Sequence, residues 1–271
     1  MSEAEPGVGG RRRVTATTIA AWSRRYVPAL IVFAGVIAMW QLTLGGPGRR
    51  VFPPPSAIVN AGLANLDTLR SATQATFVEA MGGLVIGTVA GLLVAFAAAR
   101  WSTARDVLLP IAIASSAIPI IAIAPILNNW FGVLNPLSKM MMAALLVFFP
   151  VVINVTRGLV DVQPASLELM RSYAASEFAV LRQLRIPNML PFFFTALKVG
   201  TTLSFIGALV GEYFGGTSEV LGRVVLQSMS SGRFSLAWTG ILIGSVAAIM
   251  AYLAVSAVER VAIPWHATLR A

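Results

Sequence analysis

The chain has 271 residues, of which 57% are hydrophobic and 11% are charged, and its formal net charge is +9. A soluble globular protein carries about 25% charged residues, so this chain has too few charges to cover a surface that faces water. With a mean hydropathy of +0.79, it is predicted to be an all-α integral membrane protein. Its basic residues are spread over the connecting segments, so we expect no nucleic acid among its partners.

The composition also excludes several kinds of chemistry. The chain has no cysteine and a single histidine, His266, which excludes Cys/His zinc sites and thiol nucleophiles. Neither of its lysines, Lys139 and Lys198, follows the glycine spacing of a phosphate-binding loop. We therefore expect a non-catalytic chain that binds no metal and no cofactor of its own.

Six apolar segments are predicted to cross the bilayer, a distance that takes about 20 helical residues. Residues 1–25 form a basic N-terminal segment before the first helix at 26–45, and residues 46–75 form an external loop with a short amphipathic helix. The other helices make up a permease core at 76–258 and are predicted at residues 76–99, 106–127, 137–156, 188–212 and 235–258.

The direction of the chain follows from its arginines. With the N-terminus in the cytoplasm, most arginines fall in cytoplasmic segments, as the positive-inside rule requires. Both termini, the long loop at 157–187 and the tail at 259–271 are therefore predicted to be cytoplasmic. On the external side, three prolines precede Ser56, which we expect to cap the short helix. That helix either lies on the external face or contacts an external partner.

Two helices carry distinctive small or kinking residues. In the second, glycines recur every four residues and predict a ridge for close helix packing, at Gly83, Gly87 and Gly91. In the third, Pro119 and Pro125 predict a kinked helix. The hydroxyls of Ser115 and Ser116 make that helix a candidate for the transport pathway, although simple curvature explains the same residues.

The fifth helix combines polar residues with an apolar sequence. Polar groups at membrane depth usually face protein or water, so the pathway candidates on this helix are Thr201, Ser204, Phe205 and Glu212. Glu212 either pairs with an external arginine or caps a loop. Lys198 is expected to extend toward the inner surface. Elsewhere, Glu79 and Asp106 are predicted to be interfacial, and His266 to lie with Trp265 in an amphipathic tail at the lipid headgroups.

The segment at residues 168–187, called here the docking segment, is charged and helix-forming, and it lies between apolar regions. ABC importer permeases carry a cytoplasmic motif of E-A-A, three residues, G, nine residues, I, one residue and L-P. This chain matches the spacing, with Ala174 at the glycine position and further matches at Glu168, Leu169, Met170, Leu184, Ile186 and Pro187. It also resembles the family in PPPSAI, in IPIIAIAPIL followed by WFG, in LSK and in GEYFGG, so the resemblance covers nearly the whole chain from Val51.

The resemblance implies a type I permease subunit of the branch that imports nitrate, sulfonates, taurine and pyrimidine-type vitamin precursors. Two such subunits, expected to be identical, line a pathway between an external solute-binding protein and two ATPase subunits that bind ATP and Mg²⁺. A short helix at residues 173–178 is expected to seat on the ATPase, and Pro187 and Pro191 to stop it. The expected docking residues are Glu168, Arg171, Tyr173, Ala174, Ala175, Ser176, Glu177 and Pro187.

The predicted function is therefore the ATP-driven import of a small polar solute by alternating access. The alternative is a secondary transporter driven by an ion gradient. Such a transporter would carry internal repeats and acidic residues at the centre of its spans, and neither is found in the sequence. Heterocyclic vitamin precursors, sulfonates and nitrate all remain open as cargo.

Overall fold

The computed structural model describes Ala16–Leu44 and residues 51–265. The chain divides into two units, Met1–Ala57 and Ile58–Ala271. The first unit contains helix α1 (Ala16–Leu44), whose apolar part is Val27–Thr43. Within this unit, the Gln41 side chain donates to Ser56 Oγ at 2.9 Å and accepts from the Ser56 backbone N–H at 3.1 Å. Ser56, expected as a helix cap, lies inside α2 and is bonded in this way instead.

The second unit is built from helices, and no strand occurs in the described part of the chain. In chain order the helices after α1 are α2 (Pro55–Ala64), whose first three residues belong to the first unit, α3 (Leu66–Arg100), α4 (Ser102–Ser115), α5 (Ile120–Phe131), α6 (Pro136–Val160), α7 (Pro164–Ser172), α8 (Glu177–Val180), a π-helical turn (Leu181–Arg185), α9 (Ile186–Phe214), α10 (Leu221–Ser230) and α11 (Phe234–Ala262).

Four helical stretches of the described residues are long and apolar enough to cross a membrane: Leu66–Arg100, Pro136–Val160, Glu177–Phe214 and Phe234–Ala262. The pair formed by α4 and α5 makes a fifth if it is counted as one span. The all-α membrane architecture is thereby confirmed. The sixth span, over α1, stays a prediction.

The third predicted span, at residues 106–127, is not one kinked helix. The chain bends by 99° between Arg105–Ser115 and Ile120–Phe131. Pro119 is extended, with φ −63° and ψ 114°, and it caps the start of α5. A proline disfavours the helical conformation of the residue before it, so the helix ends ahead of Pro119 and a new one begins after it.

Helix α3 begins at Leu66, within the stretch that was expected to be loop up to residue 75. The first turns of α3 are polar in sequence, but Leu69 and Ala72 are buried against Leu221 and Leu236. This packing extends the helix beyond its apolar part. Burial of one face stabilises the helical conformation even where the sequence alone predicts a helix only weakly.

Helix α6 lies at the centre of the unit and packs along α3 and α9. Its buried face presents Val147, Val151, Val155 and Leu159, all with no exposed surface. On α3, the three predicted packing glycines face α6. A Cβ would lie 2.3 Å from Ala143 Cβ at Gly83, 2.4 Å from the Ala144 carbonyl oxygen at Gly87, and 2.8 Å from Val151 Cβ at Gly91.

We expect Gly87→Ala to lower the free energy of unfolding by about 1–3 kcal/mol, since the added methyl overlaps a backbone carbonyl that cannot rotate away. The matched control is Gly244→Ala in α11, where a Cβ meets nothing nearer than 3.8 Å. Thermal unfolding in detergent measures both variants. Equal melting temperatures for the two would contradict the close approach of α3 and α6.

Candidate functional site

The docking segment begins with a helix end that has a defined hydrogen-bond pattern. Helix α7 ends at Ser172, after which the Ala174 N–H donates to the Arg171 carbonyl at 2.9 Å and the Ala175 N–H to the Met170 carbonyl at 3.0 Å. These two bonds form a Schellman motif. Ala174 has a φ of +51°, the left-handed conformation that favours glycine. The family's glycine at this position therefore has a local physical reason.

A second helix starts immediately afterwards. The Ser176 hydroxyl accepts a hydrogen bond from the Ala179 N–H at 3.2 Å and caps α8. The short docking helix expected at residues 173–178 is thus replaced by a turn between α7 and α8. The left-handed residue ends one helix and the serine cap begins the next, so neither helix continues through the turn.

Helix α8 runs without a break into α9, so that Glu177–Phe214 is one helical stretch of 38 residues. Pro187, expected to end a helix, lies in the first turn of α9. Ahead of it, the Ile186 N–H donates to the Leu181 carbonyl in the π-helical turn. A π turn accommodates a proline because it shifts the carbonyl that the missing N–H would have met.

The turn side of the docking segment exposes large apolar groups beside charged ones. Leu169, Tyr173 and Phe178 are 58%, 78% and 71% exposed. Among the expected docking residues, those exposed are Glu168, Arg171, Tyr173, Ala174, Ser176 and Glu177, whereas Ala175 and Pro187 are half-buried. An exposed apolar patch rimmed by charge is typical of a protein interface.

One residue that sequence reasoning missed anchors the docking segment to the membrane helices. The Asn188 side chain donates to the Gly158 carbonyl at 2.8 Å and to the Asp161 carbonyl at 3.1 Å. Both acceptors belong to the end of α6, whose last carbonyls have no partner within the helix. Asn188 therefore ties the start of α9 to the end of α6. An asparagine directly after Pro187 was the only signal in the sequence.

At the other end of α9 lies a buried polar cluster, defined as Thr76, Glu79, Lys139 and Glu212. Glu212 is fully buried and uses both carboxyl oxygens. Thr76 Oγ1 donates to its Oε1 at 2.6 Å, and the Gly222 N–H donates to its Oε2 at 2.6 Å. The Leu221 N–H donates to Thr76 Oγ1 at 3.0 Å. Because Leu221 and Gly222 open α10, the cluster caps that helix.

The other two members are also buried. Glu79 was expected at the membrane interface, but it is 4% exposed inside α3, and one of its carboxyl oxygens has no hydrogen-bond partner. Lys139 is fully buried, and its ammonium group donates to the carbonyls of Val133 and Asn135. Lys139 lies near enough to Glu79 and Glu212 to attract both carboxyl groups, whereas the two carboxyl groups repel each other when both are ionised. The single ammonium group therefore offsets part of the cost of burying the acidic pair.

Lys198 has a partner that the sequence did not predict. Its ammonium group donates to Glu259 Oε2 on α11 at 2.8 Å, and its extension toward the inner surface stays a prediction. Glu259 is buried, so this ion pair links α9 to α11 where the carboxylate is shielded from solvent. Asp106 is exposed and pairs with Arg105 at 3.4 Å. His266 lies outside the described residues, and Trp265 is 56% exposed.

The structure separates the pathway candidates into two groups. Ser115 and Ser116 line a cavity of about 280 Å³ at the bend between α4 and α5, opposite Leu203 of α9. Thr201 and Ser204 are buried instead, and their hydroxyls donate to carbonyls of their own helix at 2.7 and 2.8 Å. Phe205 is buried edge-on against Phe77, with ring centroids 6.0 Å apart. Together with Glu212 they support the core and do not line the cavity.

Apolar spans, together with a docking segment that exposes apolar and charged side chains between two of them, are typical of an integral membrane permease. The model of the family described as "Binding-protein-dependent transport system inner membrane component" matches residues 87–264, which is most of the chain. The chain belongs to this family and is a type I ABC importer permease, as the motif spacing predicted.

Named relatives agree over nearly their whole lengths. A Haemophilus influenzae protein, "Probable ABC transporter permease protein", is 33% identical over 81% of this chain and 89% of its own. The formylaminopyrimidine transport permease protein ThiX of Halalkalibacterium halodurans is 29% identical over 87% and 94% of the two chains. The riboflavin transport system permease protein RibX of Chloroflexus aurantiacus is 28% identical over 91% and 92%.

A solved structure shares the fold. A chain of the MetNI methionine ABC transporter in an inward-facing conformation superposes with a TM-score of 0.56 at 17% identity. The match covers 72% of this chain and 94% of the other. At this identity the likeness concerns the arrangement of helices alone.

Glu212→Gln is expected to lower the free energy of unfolding by about 1–3 kcal/mol, because the NH2 group that replaces one carboxyl oxygen cannot accept the hydrogen bond which that oxygen accepts and faces its donor instead. Glu219→Gln on the neighbouring exposed loop is the control and should leave stability unchanged. Thermal unfolding in detergent distinguishes them. A melting temperature for Glu212→Gln that equals that of the control would mean that the cluster contributes nothing to stability.

Ala174→Gly is expected to stabilise the turn by about 1 kcal/mol, since glycine adopts a positive φ without the steric cost of a Cβ. Hydrogen exchange of the Ala175 N–H, which bonds to Met170, reports this local stability. We expect this N–H to exchange more slowly in Ala174→Gly. The control is Ala175→Gly, at a residue whose φ is not positive, and it should not slow the exchange of the Ala174 N–H. Faster exchange in Ala174→Gly would refute the strained turn.

Proposed function

We propose that this chain is the membrane subunit of an ATP-driven importer, in which two identical copies line the pathway of a small polar solute. ATP and Mg²⁺ bind to two separate ATPase subunits, and an external binding protein delivers the solute. The N-terminus, the C-terminus and the docking segment face the cytoplasm, in accord with the positive-inside rule. The single observation that carries the proposal is the exposed apolar surface of Leu169, Tyr173 and Phe178, called here the docking surface. It lies at the start of a membrane-spanning helix.

The docking surface has the composition of a protein interface. Tyr173 and Phe178 stand out from the turn on either side of small residues, Ala174, Ala175 and Ser176. Aromatic side chains surrounded by polar groups dominate the binding energy of many interfaces. The small residues between them let the backbone of the turn approach the ATPase closely.

The long helix supplies the mechanical link for alternating access. Because Glu177–Phe214 is continuous, a displacement of Phe178 by the ATPase moves the buried part of α9 with it. Asn188 couples the same movement to α6 through the Gly158 and Asp161 carbonyls. Closure of the two ATPase subunits would thus tilt α9 and α6 together and open the pathway to the other side.

The solute passes the bend between α4 and α5 in this proposal. The cavity there combines the hydroxyls of Ser115 and Ser116 with apolar residues, including Phe149 and Leu203. A few polar groups in an apolar wall are typical of small-molecule sites. The relatives named for formylaminopyrimidine and riboflavin transport favour a small heterocyclic vitamin precursor as cargo, with sulfonates and taurine next.

The test is uptake by proteoliposomes that contain the chain, the ATPase subunits and the binding protein, with labelled formylaminopyrimidine, riboflavin or taurine as cargo. The proposal predicts uptake that requires ATP and stops when the ATPase is omitted. The ion-gradient alternative predicts uptake without the ATPase, driven by a proton or sodium gradient. That result would refute the importer mechanism.

Tyr173→Ala and Phe178→Ala should each weaken the affinity for the ATPase by at least about tenfold, because truncation of an interface aromatic costs about 2 kcal/mol or more. Phe214→Ala is the matched control, an exposed phenylalanine at the opposite end of the same helix. Co-purification and binding titration measure the effect. Unchanged affinity in both docking variants would show that the ATPase seats elsewhere.

A further inference from the structure

A cavity lies between the end of α3 and the start of the Glu177–Phe214 stretch. Its volume is about 260 Å³. Its lining combines two guanidinium groups with apolar side chains: Phe96, Ala99, Arg100, Glu177, Phe178, Leu181 and Arg185. Arg100 and Arg185 are 85 residues apart in the sequence, so only the fold brings them together and no sequence motif predicts the site.

The arginines of the cavity have hydrogen-bonding capacity to spare. The Nε of Arg185 is shielded from solvent and has no hydrogen-bond partner. Arg100 is exposed, and neither arginine belongs to an ion pair among the described residues. A shielded N–H without an acceptor is costly, and a planar guanidinium matches the oxygens of a phosphate. An anion has the acceptor oxygens that these guanidinium groups can bind.

The position and lining of the cavity favour a lipid over a free anion. Both walls are ends of membrane-spanning helices. Leu93, about two turns before Arg100 on α3, is 69% exposed, and Trp101, directly after Arg100, is 59% exposed. Apolar residues before the arginine and an aromatic ring beside it mark the level of the headgroups. Acyl chains can therefore lie along α3 while the phosphate reaches the arginines.

The charge balance of the cavity points to a headgroup with a single negative charge. Two arginines face one carboxylate, that of Glu177, so the site carries one net positive charge. We propose that this cavity binds the headgroup of an anionic phospholipid of the phosphatidylglycerol type. Arg100 and Arg185 hold its phosphate, and Phe96, Ala99 and Leu181 contact its glycerol and upper acyl carbons. The lipid then bridges α3 and the docking segment.

The test is native mass spectrometry of the full chain in detergent, with dioleoyl phosphatidylglycerol or dioleoyl phosphatidylcholine added. We expect Arg100→Gln and Arg185→Gln each to reduce the bound phosphatidylglycerol by at least about fivefold, since a charge-assisted hydrogen bond is lost. Arg182→Gln, an exposed arginine of the same π turn that does not line the cavity, is the matched control and should stay within about twofold of the unsubstituted chain. Phosphatidylcholine carries the same phosphate but also a choline cation, so it should bind more weakly than phosphatidylglycerol and change less in the arginine variants.

A fourth variant guards against misfolding as the cause of lost binding. Glu177→Gln removes the opposing carboxylate and should raise phosphatidylglycerol binding by about twofold or more, which a damaged structure cannot mimic. Equal binding in all variants, or an equal loss in Arg182→Gln, would overturn the proposal. Displacement by millimolar inorganic phosphate would identify a free-anion site instead. Unchanged lipid binding with weaker ATPase binding would assign the arginines to an acidic partner residue and would also overturn it.

Discussion

The continuous helical stretch Glu177–Phe214 is the constraint on which the rest of the structure depends. Its 38 residues span about 57 Å, whereas the hydrocarbon core of a bilayer is about 30 Å thick. The same helix therefore reaches from the docking segment, where Phe178 is exposed, to the buried carboxylate of Glu212. The π-helical turn keeps the helix continuous ahead of Pro187. No loop interrupts the helix between its two ends, so a displacement of one end is transmitted to the other.

Around this helix the packing follows from the lack of water in the membrane. Apolar association contributes little between helices in lipid, so close contact and internal hydrogen bonds hold the helices together. Helix α6 approaches α3 through Gly87 and α9 through Gly207, where a Cβ would lie 2.6 Å from Ala143 Cα. At the ends, the polar groups find partners across helices, as Asn188 does with α6 and Lys198 with Glu259. The helices pack closely at these glycines, and polar side chains add hydrogen bonds between them.

The sequence predicted what depends on local patterns. The motif spacing identified the family before any geometry was known, and the apolar segments indicated an all-α membrane protein. It could not predict the partners of Glu212, because Thr76 lies 136 residues away and Gly222 contributes only its backbone N–H. The 99° bend at Pro119 was also missed, since a proline within an apolar run predicts a kink and a complete break equally well. At Ala174 the sequence showed a departure from the motif but not its physical consequence. The positive φ of this residue shows that alanine occupies a backbone conformation that favours glycine.

In the proposed transport cycle, the docking segment and the buried polar cluster move as the two ends of one rigid helix. The chain contains no cysteine, so spin labels can be placed at Arg182→Cys and Phe214→Cys without other changes. Pulsed electron–electron double resonance measures the distance between the two labels in the assembled transporter, with and without ATP. An intact helix places them about 48 Å apart. We expect this distance to stay constant while the distance between the residue 182 labels of the two copies changes. A shortening of the distance within one helix on ATP binding would show that the π turn bends and that the helix does not move as a rigid body.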